Sequence, residues 1–143
     1  MGSRSAAGLI GAPVRLHGIM LGRSIDLVLD AAGRRVLGFV VESGDDVARF
    51  LPYAASQPGD GLVAVGSALM LLDDVSFYRK HGSSLRSWLG TEIERERIPV
   101  GTLTDMHIDH AGDVVELEVE LDGLRNLVPA AGSSFAAPAA TAA

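Results

Sequence analysis

The sequence contains no cysteine, which excludes disulfides, thiolate zinc sites and cysteine nucleophiles. Aromatic residues make up only 5% of the chain against 48% hydrophobic residues, so a packed core must be mainly aliphatic. No uninterrupted apolar run reaches the roughly 18 residues that a membrane-spanning helix needs. The segment Met1–Val14 has one arginine and lacks the apolar centre of a signal peptide. We therefore expect a soluble, cytoplasmic protein with no membrane span.

Basic charge is also scarce. The chain has 12 lysines and arginines against 18 aspartates and glutamates, for a net charge of −6 at pH 7. A nucleic-acid surface needs a concentrated positive field that displaces condensed counterions. The densest basic patches here are only Arg34-Arg35, Arg79-Lys80 and the segment Glu94–Arg97. Direct binding of RNA or DNA is therefore not expected, and a protein is the expected partner.

A motif of one skeleton occurs twice in the chain. Gly22–Gly33 reads GRSIDLVLDAAG, and Gly101–Gly112 reads GTLTDMHIDHAG. A shift of 79 positions aligns Leu9–Val40 with Trp88–Val119 and gives nine identities in 32 pairs. The identities are Gly11/Gly90, Ile19/Ile98, Gly22/Gly101, Asp26/Asp105, Asp30/Asp109, Ala32/Ala111, Gly33/Gly112, Val36/Val115 and Val40/Val119. We infer that the chain carries two copies of one structural unit.

Each copy of the motif has the alternation that is typical of a β strand. Ile25, Leu27 and Leu29 place apolar side chains on one face, and aspartates share the other face. An aspartate then opens a turn that closes on a glycine, where a positive φ favours that residue. The motif is therefore predicted to be structural rather than catalytic. Its predicted turn and strand residues are Gly22, Asp26, Asp30, Gly33, Gly101, Asp105, Asp109 and Gly112.

More strands are predicted after each motif. Phe50-Leu-Pro52 in the first copy is matched by Leu127-Val-Pro129 in the second. The first copy adds a strand at Gly61–Gly66 that has no clear counterpart after Pro129. The second copy is therefore expected to be shorter, or to be completed by another segment.

The residues described so far resemble a PRC-barrel domain. The resemblance rests on Leu9-Ile-Gly11, on the aspartate-spaced motif of Gly22–Asp30, and on Leu51-Pro52 before a glycine-rich turn. This family includes the cytoplasmic domain of photosynthetic reaction-centre H subunits and the C-terminal domain of RimM-type ribosome-maturation factors. The resemblance implies a small, strongly bent β-barrel. The sequence shows neither the membrane helix of the first relative nor the basic domain of the second, so neither role carries over whole.

We therefore predict a mostly β protein. It would consist of two tandem small PRC-barrel-like β-barrels, the second shorter, joined by a short, partly helical linker. The predicted boundaries are a flexible N-terminus at 1–8, a first unit at 9–72, a linker at 73–87, a second unit at 88–129 and a disordered Ala/Pro tail at 130–143.

A metal site is one interpretation of the second motif. Asp105, His107 and Asp109 share one strand face, within reach of a single divalent ion. The first copy has Val28 in the position of His107, and exposed strand faces commonly carry such residues, so we favour a structural interpretation. The sequence also has no nucleophile elbow and no phosphate-binding glycine loop. No enzyme activity, catalytic residue, cofactor or metal is predicted.

Most of the aromatic side chains of the chain lie between the two copies. The partner-binding candidates in this segment are Phe77, Tyr78, Leu85, Trp88 and Leu89. They would either join the two units or contact a partner or a second copy of the chain. The predicted function is a non-enzymatic protein-binding or scaffold module. The alternatives are an accessory factor in RNA processing or ribosome maturation that acts through a basic protein partner, and a metal-dependent hydrolase that uses Asp105, His107 and Asp109.

Overall fold

The computed structural model describes residues 2–73 and 75–136, and it confirms the prediction of a mostly β protein. The strands are β1 (Arg4–Ser5), β2 (Pro13–Leu16), β3 (Ile19–Leu29), β4 (Val36–Ser43), β5 (Ala48–Pro52), β6 (Ser56–Pro58), β7 (Val63–Val65), β8 (Ser83–Ser84), β9 (Glu92–Arg95), β10 (Ile98–Ile108), β11 (Val114–Leu121), β12 (Leu124–Pro129) and β13 (Ser133–Phe135). The helices are α1 (Val75–His81) and α2 (Leu85–Trp88), and 3-10 turns cover Ala7–Leu9, Tyr53–Ala55 and Ala68–Met70. In the described part of the chain, no helix has the length and apolar character to cross a membrane.

The strands form two sheets, one built mainly from each copy. The first sheet has the order β5-β4-β3-β2-β7-β6, and β8 also pairs with β3. The second sheet has the order β12-β11-β10-β9-β13, and β1 also pairs with β10. All pairings are antiparallel except that of β2 with β7. In both sheets, the long motif strand occupies the same position between its two hairpin partners.

The motif strands β3 and β10 match residue by residue. Each is 11 residues long, and each has its two register shifts towards its hairpin partner at the same motif positions. Their burial patterns differ only at Val28, which is buried where His107 is half-buried. The prediction that Gly22–Gly33 and Gly101–Gly112 share one secondary structure is confirmed. At Gly22, an added Cβ would lie 2.4 Å from the carbonyl oxygen of Glu42, so the close approach of the strands requires a glycine.

The alignment of the copies changes by one residue after the turn. Leu29 pairs with Val36 across the first turn, and Ile108 pairs with Val114 across the second, so the offset becomes 78. The cause is the second turn, which has one residue fewer than the first. The identities assigned to Val36/Val115 and Val40/Val119 are therefore wrong, and the equivalent pairs are Val36/Val114 and Val41/Val119.

The inner faces of the two sheets enclose one shared core. It combines Leu27 and Phe39 of the first sheet with Ile93, Met106 and Leu117 of the second, all of them fully buried. The structure thus shows two sheets around one core, and it does not establish the two separate barrels that the resemblance implies.

Each copy contributes one short strand to the sheet of the other copy. β1, from the start of the first copy, pairs with β10, and β8, from the start of the second copy, pairs with β3. Behind these strands, Ala6 and Leu85 are fully buried in the shared core. Residues 4–8 are therefore ordered against the second copy, which differs from the predicted flexible N-terminus. Residues 83–87 are their counterparts at an offset of 79 rather than part of a linker.

The segment after Pro129 also differs from its prediction. Ala130 is buried, and β13 pairs with β9 in the place that β7 takes beside β2 in the first sheet. Phe135 anchors this segment by packing, because its ring contacts that of Trp88 with centroids 4.3 Å apart. The predicted disorder is therefore wrong for residues 130–136, and its remainder, 137–143, lies outside the described residues. β13 is the segment that completes the shorter second copy.

Candidate functional site

The two mid-strand aspartates bind the exchanged segments. Asp105 Oδ1 accepts the N–H of Ala7 at 2.9 Å, and its Oδ2 accepts the hydroxyl of Ser5. Asp26 Oδ1 accepts the N–H of Arg86 at 3.2 Å, and its Oδ2 accepts the hydroxyl of Ser84. Each carboxylate also accepts the N–H of the residue that follows it. Both aspartates are only 8% exposed, so their hydrogen-bonding capacity serves the contact between the copies.

The turn aspartates cap their own turns. Asp30 Oδ1 accepts the N–H of Arg34 at 2.7 Å. Asp109 Oδ1 accepts the N–H groups of Ala111 at 2.9 Å and Asp113 at 3.0 Å. The closing glycine of each turn has a positive φ, 71° in the first copy and 90° in the second. These contacts are those of the structural role that the sequence predicts, and they leave neither carboxylate in a shared cleft.

The second turn also orders a tyrosine of the first copy. The Tyr53 hydroxyl donates to the carbonyl oxygen of Asp109 at 3.3 Å, and its ring stacks on Phe39 with centroids 5.9 Å apart. Burial of the phenol raises the pKa of Tyr53 above its ordinary value, which favours the protonated hydroxyl that donates this bond. The contact ties the two copies together at a second place.

The proposed metal ligands do not converge. His107 Nε2 lies 3.9 Å from Asp105 Oδ2, but that oxygen already accepts the hydroxyl of Ser5. Asp109 is bound to its own turn. Among the described residues, no group of three or more His, Cys, Asp or Glu side chains is placed to hold a metal ion.

Three of the five partner-binding candidates pack within the chain near the exchanged segment. Leu85 is fully buried in the shared core, and Leu89 is partly buried against it. Trp88 is also partly buried, and its Nε1–H donates to the Ser83 hydroxyl at 2.7 Å. These side chains therefore contribute to the junction of the two copies.

The other two candidates lie on α1. Tyr78 stacks on Phe50 with ring centroids 3.7 Å apart, and it covers a small apolar cluster on the outer face of the first sheet. Phe77 is 56% exposed, and its ring contacts Tyr78 and His81. Of the five candidates, Phe77 has the most exposed side chain.

The outermost strands β5 and β12 are equivalent, but their free edges differ. Phe50 pairs with Val40 of β4 as Leu127 pairs with Glu118 of β11, so Phe50 and Leu127 occupy the same position. At Phe50, the N–H donates to the carbonyl oxygen of Leu72 at 2.8 Å, and the Leu72 N–H donates back at 2.7 Å. No other described residue pairs in this way with Leu127, where β12 is the edge of its sheet.

The hairpin before β12 determines which of its groups are free. Asp122 and Gly123 both have positive φ, as in a two-residue hairpin turn, so Leu121 and Leu124 form its hydrogen-bonded closing pair. Successive residues of a strand point their backbone N–H and C=O groups to opposite sides. Leu124 points its groups towards β11, and Ala130, six residues later, does the same, because its N–H donates to Val115 of β11. The N–H and C=O groups of Arg125 and Leu127 therefore point away from β11.

The outer face beside this edge is acidic. Glu116, Glu118 and Glu120 of β11 form what we call the acidic face, and all three lie opposite residues of β12. Arg125 is their one basic neighbour on β12, with its guanidinium 3.5 Å from Glu118 and 3.3 Å from Glu120. In the first sheet, the equivalent face is apolar and lies under α1. The edge of β12 and the acidic face are the candidate functional site.

Sequence reasoning did not identify this site or the serines of the exchanged segments. The serines could have been found, because Ser5 and Ser84 are identical at the offset of 79. The edge position of Leu127 has no such signal, since it depends on where β12 lies in the sheet. No protein-family model matches the chain, and no curated protein matches it either.

Proposed function

We propose that the chain is a non-enzymatic, PRC-barrel-like protein-binding module that adds an extended segment of its partner to β12. One observation carries this proposal. The chain already performs the same pairing on itself, because Leu72 forms two backbone hydrogen bonds with Phe50, the counterpart of Leu127. The second copy offers the same position with its backbone groups unpaired among the described residues.

The edge has the chemistry that strand addition uses. Main-chain hydrogen bonds to free N–H and C=O groups supply affinity, and alternate side chains supply specificity. Leu124 is 70% exposed and Leu127 is 49% exposed, so apolar side chains of an added strand have surface to cover. A long unpaired edge is otherwise a liability, because it invites uncontrolled association. A binding role would explain why β12 has an unpaired edge among the described residues.

The acidic face favours a basic partner. The three glutamates outnumber Arg125, and the chain as a whole carries a net charge of −6. A cytoplasmic accessory role in ribosome maturation, acting through a basic protein, is the version of this function that the charge supports. Pairing of β12 with a second copy is less favoured, because it would bring two acidic faces side by side.

A peptide titration tests the proposal. The probe is a fluorescein-labelled heptapeptide of alternating lysine and valine, added to the full chain and followed by fluorescence anisotropy. Leu127→Pro should weaken binding about tenfold or more, because it removes a free-edge N–H while leaving the hydrogen bonds to β11 in place. Leu127→Ala is the matched control and should bind within about threefold of the natural chain, because its backbone is unchanged.

Two outcomes would contradict the proposal. One is equal binding by the proline and alanine variants, with both folded by circular dichroism. The other is equal or tighter binding of a glutamate–valine heptapeptide that Leu127→Pro weakens, because such binding at β12 would show that the acidic face does not select the partner.

A further inference from the structure

Two cavities adjoin on the side of the first sheet that carries β6 and β7. One has a volume of about 470 Å³ and the other about 810 Å³, and both are lined by Ala54 and Ser56. Since they share these two lining residues, they are neighbours, and we call the pair the β6 groove. Volumes of this size are typical of sites that hold ligands.

Basic side chains outnumber acidic ones in the lining of the β6 groove, whereas acidic residues outnumber basic ones in the chain as a whole. Arg35 and His110 lie at one end, and Arg15 and His17 lie at the other. None of the described residues that line it is an aspartate or a glutamate, although the chain has 18 of these and only 12 lysines and arginines. The lining therefore carries basic side chains and no acidic ones on an acidic protein, and Asp113 lies beside it as a long-range partner of Arg35.

The two arginines remain available to a ligand. Arg35 Nε has one long contact, 3.9 Å to Asp113 Oδ1, and the side chains of both residues are more than half exposed. Arg15 donates one hydrogen bond, from Nη1 to the carbonyl oxygen of Gly18 at 3.2 Å. A guanidinium has five N–H donors, so most of them are free to bind carboxylates.

Between its basic residues, the lining of the β6 groove is mainly apolar, with Ser56 and Gln57 as polar members. Ala54, Ala64 and Gly66 leave space along it, and Leu62 and Met70 supply larger apolar surface. An extended chain could place apolar side chains over the small residues while its acidic side chains reach the arginines. The groove borders β6, an edge strand of the first sheet, whereas β12 is an edge strand of the second sheet.

We propose that the β6 groove binds an acidic, extended peptide segment of a partner protein. Charge complementarity selects this occupant. Single-stranded nucleic acid is disfavoured, because stacking platforms for bases are lacking: the aromatic residue of the described lining, apart from the two histidines, is Tyr53, which is buried against Phe39. This site is independent of β12, and with it the module would hold a basic and an acidic segment at once.

The test uses a fluorescein-labelled octapeptide of alternating glutamate and valine, followed by anisotropy with the full chain. The combined change Arg15→Glu and Arg35→Glu should weaken binding about tenfold or more, because both ends of the groove then repel the probe. Arg97→Glu changes the same type of charge at an exposed turn away from the groove, and it should leave the affinity within about twofold. Ala64→Phe should also abolish binding, because it fills the groove without changing charge.

Three results would overturn the proposal. They are no saturable binding of the octapeptide by the natural chain, equal losses in Arg97→Glu and in the double variant, or tighter binding of an eight-nucleotide deoxythymidine strand with the same dependence on Arg15 and Arg35. Circular dichroism shows whether each variant is folded. If Ala64→Phe unfolds, the charge-reversal variants alone decide, because none of their side chains belongs to the buried core.

Discussion

Replacing Asp26 or Asp105 with alanine is expected to lower the free energy of unfolding by about 2–4 kcal/mol, as measured by urea denaturation. Each carboxylate accepts a serine hydroxyl and two backbone N–H groups at a site that is almost closed to water. Alanine leaves these donors without a partner, and an unsatisfied buried donor costs on the order of 1–3 kcal/mol.

The turn aspartate Asp30 provides the control. Its carboxylate caps a turn at the surface, so Asp30→Ala should cost only about 1 kcal/mol. A loss at Asp26 or Asp105 no larger than the loss at Asp30 would contradict the role that we assign to the buried pair.

A double-mutant cycle tests the exchange between the copies. Ser5→Ala should couple to Asp105→Ala by about 0.5–3 kcal/mol, and it should show no coupling to Asp26→Ala. Coupling of Ser5 to Asp26 instead would mean that each copy binds its own serine segment.

Phe50→Ala is expected to have the largest effect, a loss of about 3–5 kcal/mol in the free energy of unfolding. Phe50 is 1% exposed, and its ring stacks on Tyr78 of α1, so the change leaves a cavity beneath the helix. Leu127→Ala is the matched control in the other copy. It should cost less than about 1 kcal/mol, because Leu127 is 49% exposed. Similar losses at the two positions would show that the β12 edge is covered in solution.

The repeat predicted much of the fold. The spacing of aspartates and glycines located β3 and β10 and their turns, because strand alternation and turn chemistry are local properties. The change of register after the turn was not predicted. The second turn has one residue fewer than the first, but chance identities of valine at the old offset of 79 hide this deletion in the sequence. Valine is common in strands, so Val36/Val115 looked as convincing as the true pair.

The exchange of segments could not be derived from the repeat. A shift of 79 gives the equivalent residues, but it does not say whether Ser5 contacts its own copy or the other one. The sequence alone predicts a flexible segment at 1–8. Its order comes from long-range contacts: Ala6 in the shared core and the hydroxyl of Ser5 on Asp105.

The candidate site depends on tertiary position more than on residue type. Phe50-Leu-Pro52 and Leu127-Val-Pro129 look alike in sequence, yet one edge is paired by Leu72 and the other is free among the described residues. The difference arises from the segment before α1, which returns to the first sheet. One feature of the sequence does indicate the difference. His107 and Glu118 are polar where the first copy has Val28 and Val40, so the outer face of the second sheet lacks the apolar residues that pack under α1 in the first.

Amide hydrogen exchange at Phe50 and Leu127 tests the central claim most directly. In the free chain, the Phe50 N–H should be strongly protected by Leu72, and the Leu127 N–H should exchange at a rate close to that of an open strand edge. Adding the lysine–valine heptapeptide should slow exchange at Leu127 and leave Phe50 unchanged. Bound peptide with no added protection at Leu127, or equal protection of the two amides in the free protein, would contradict strand addition at β12.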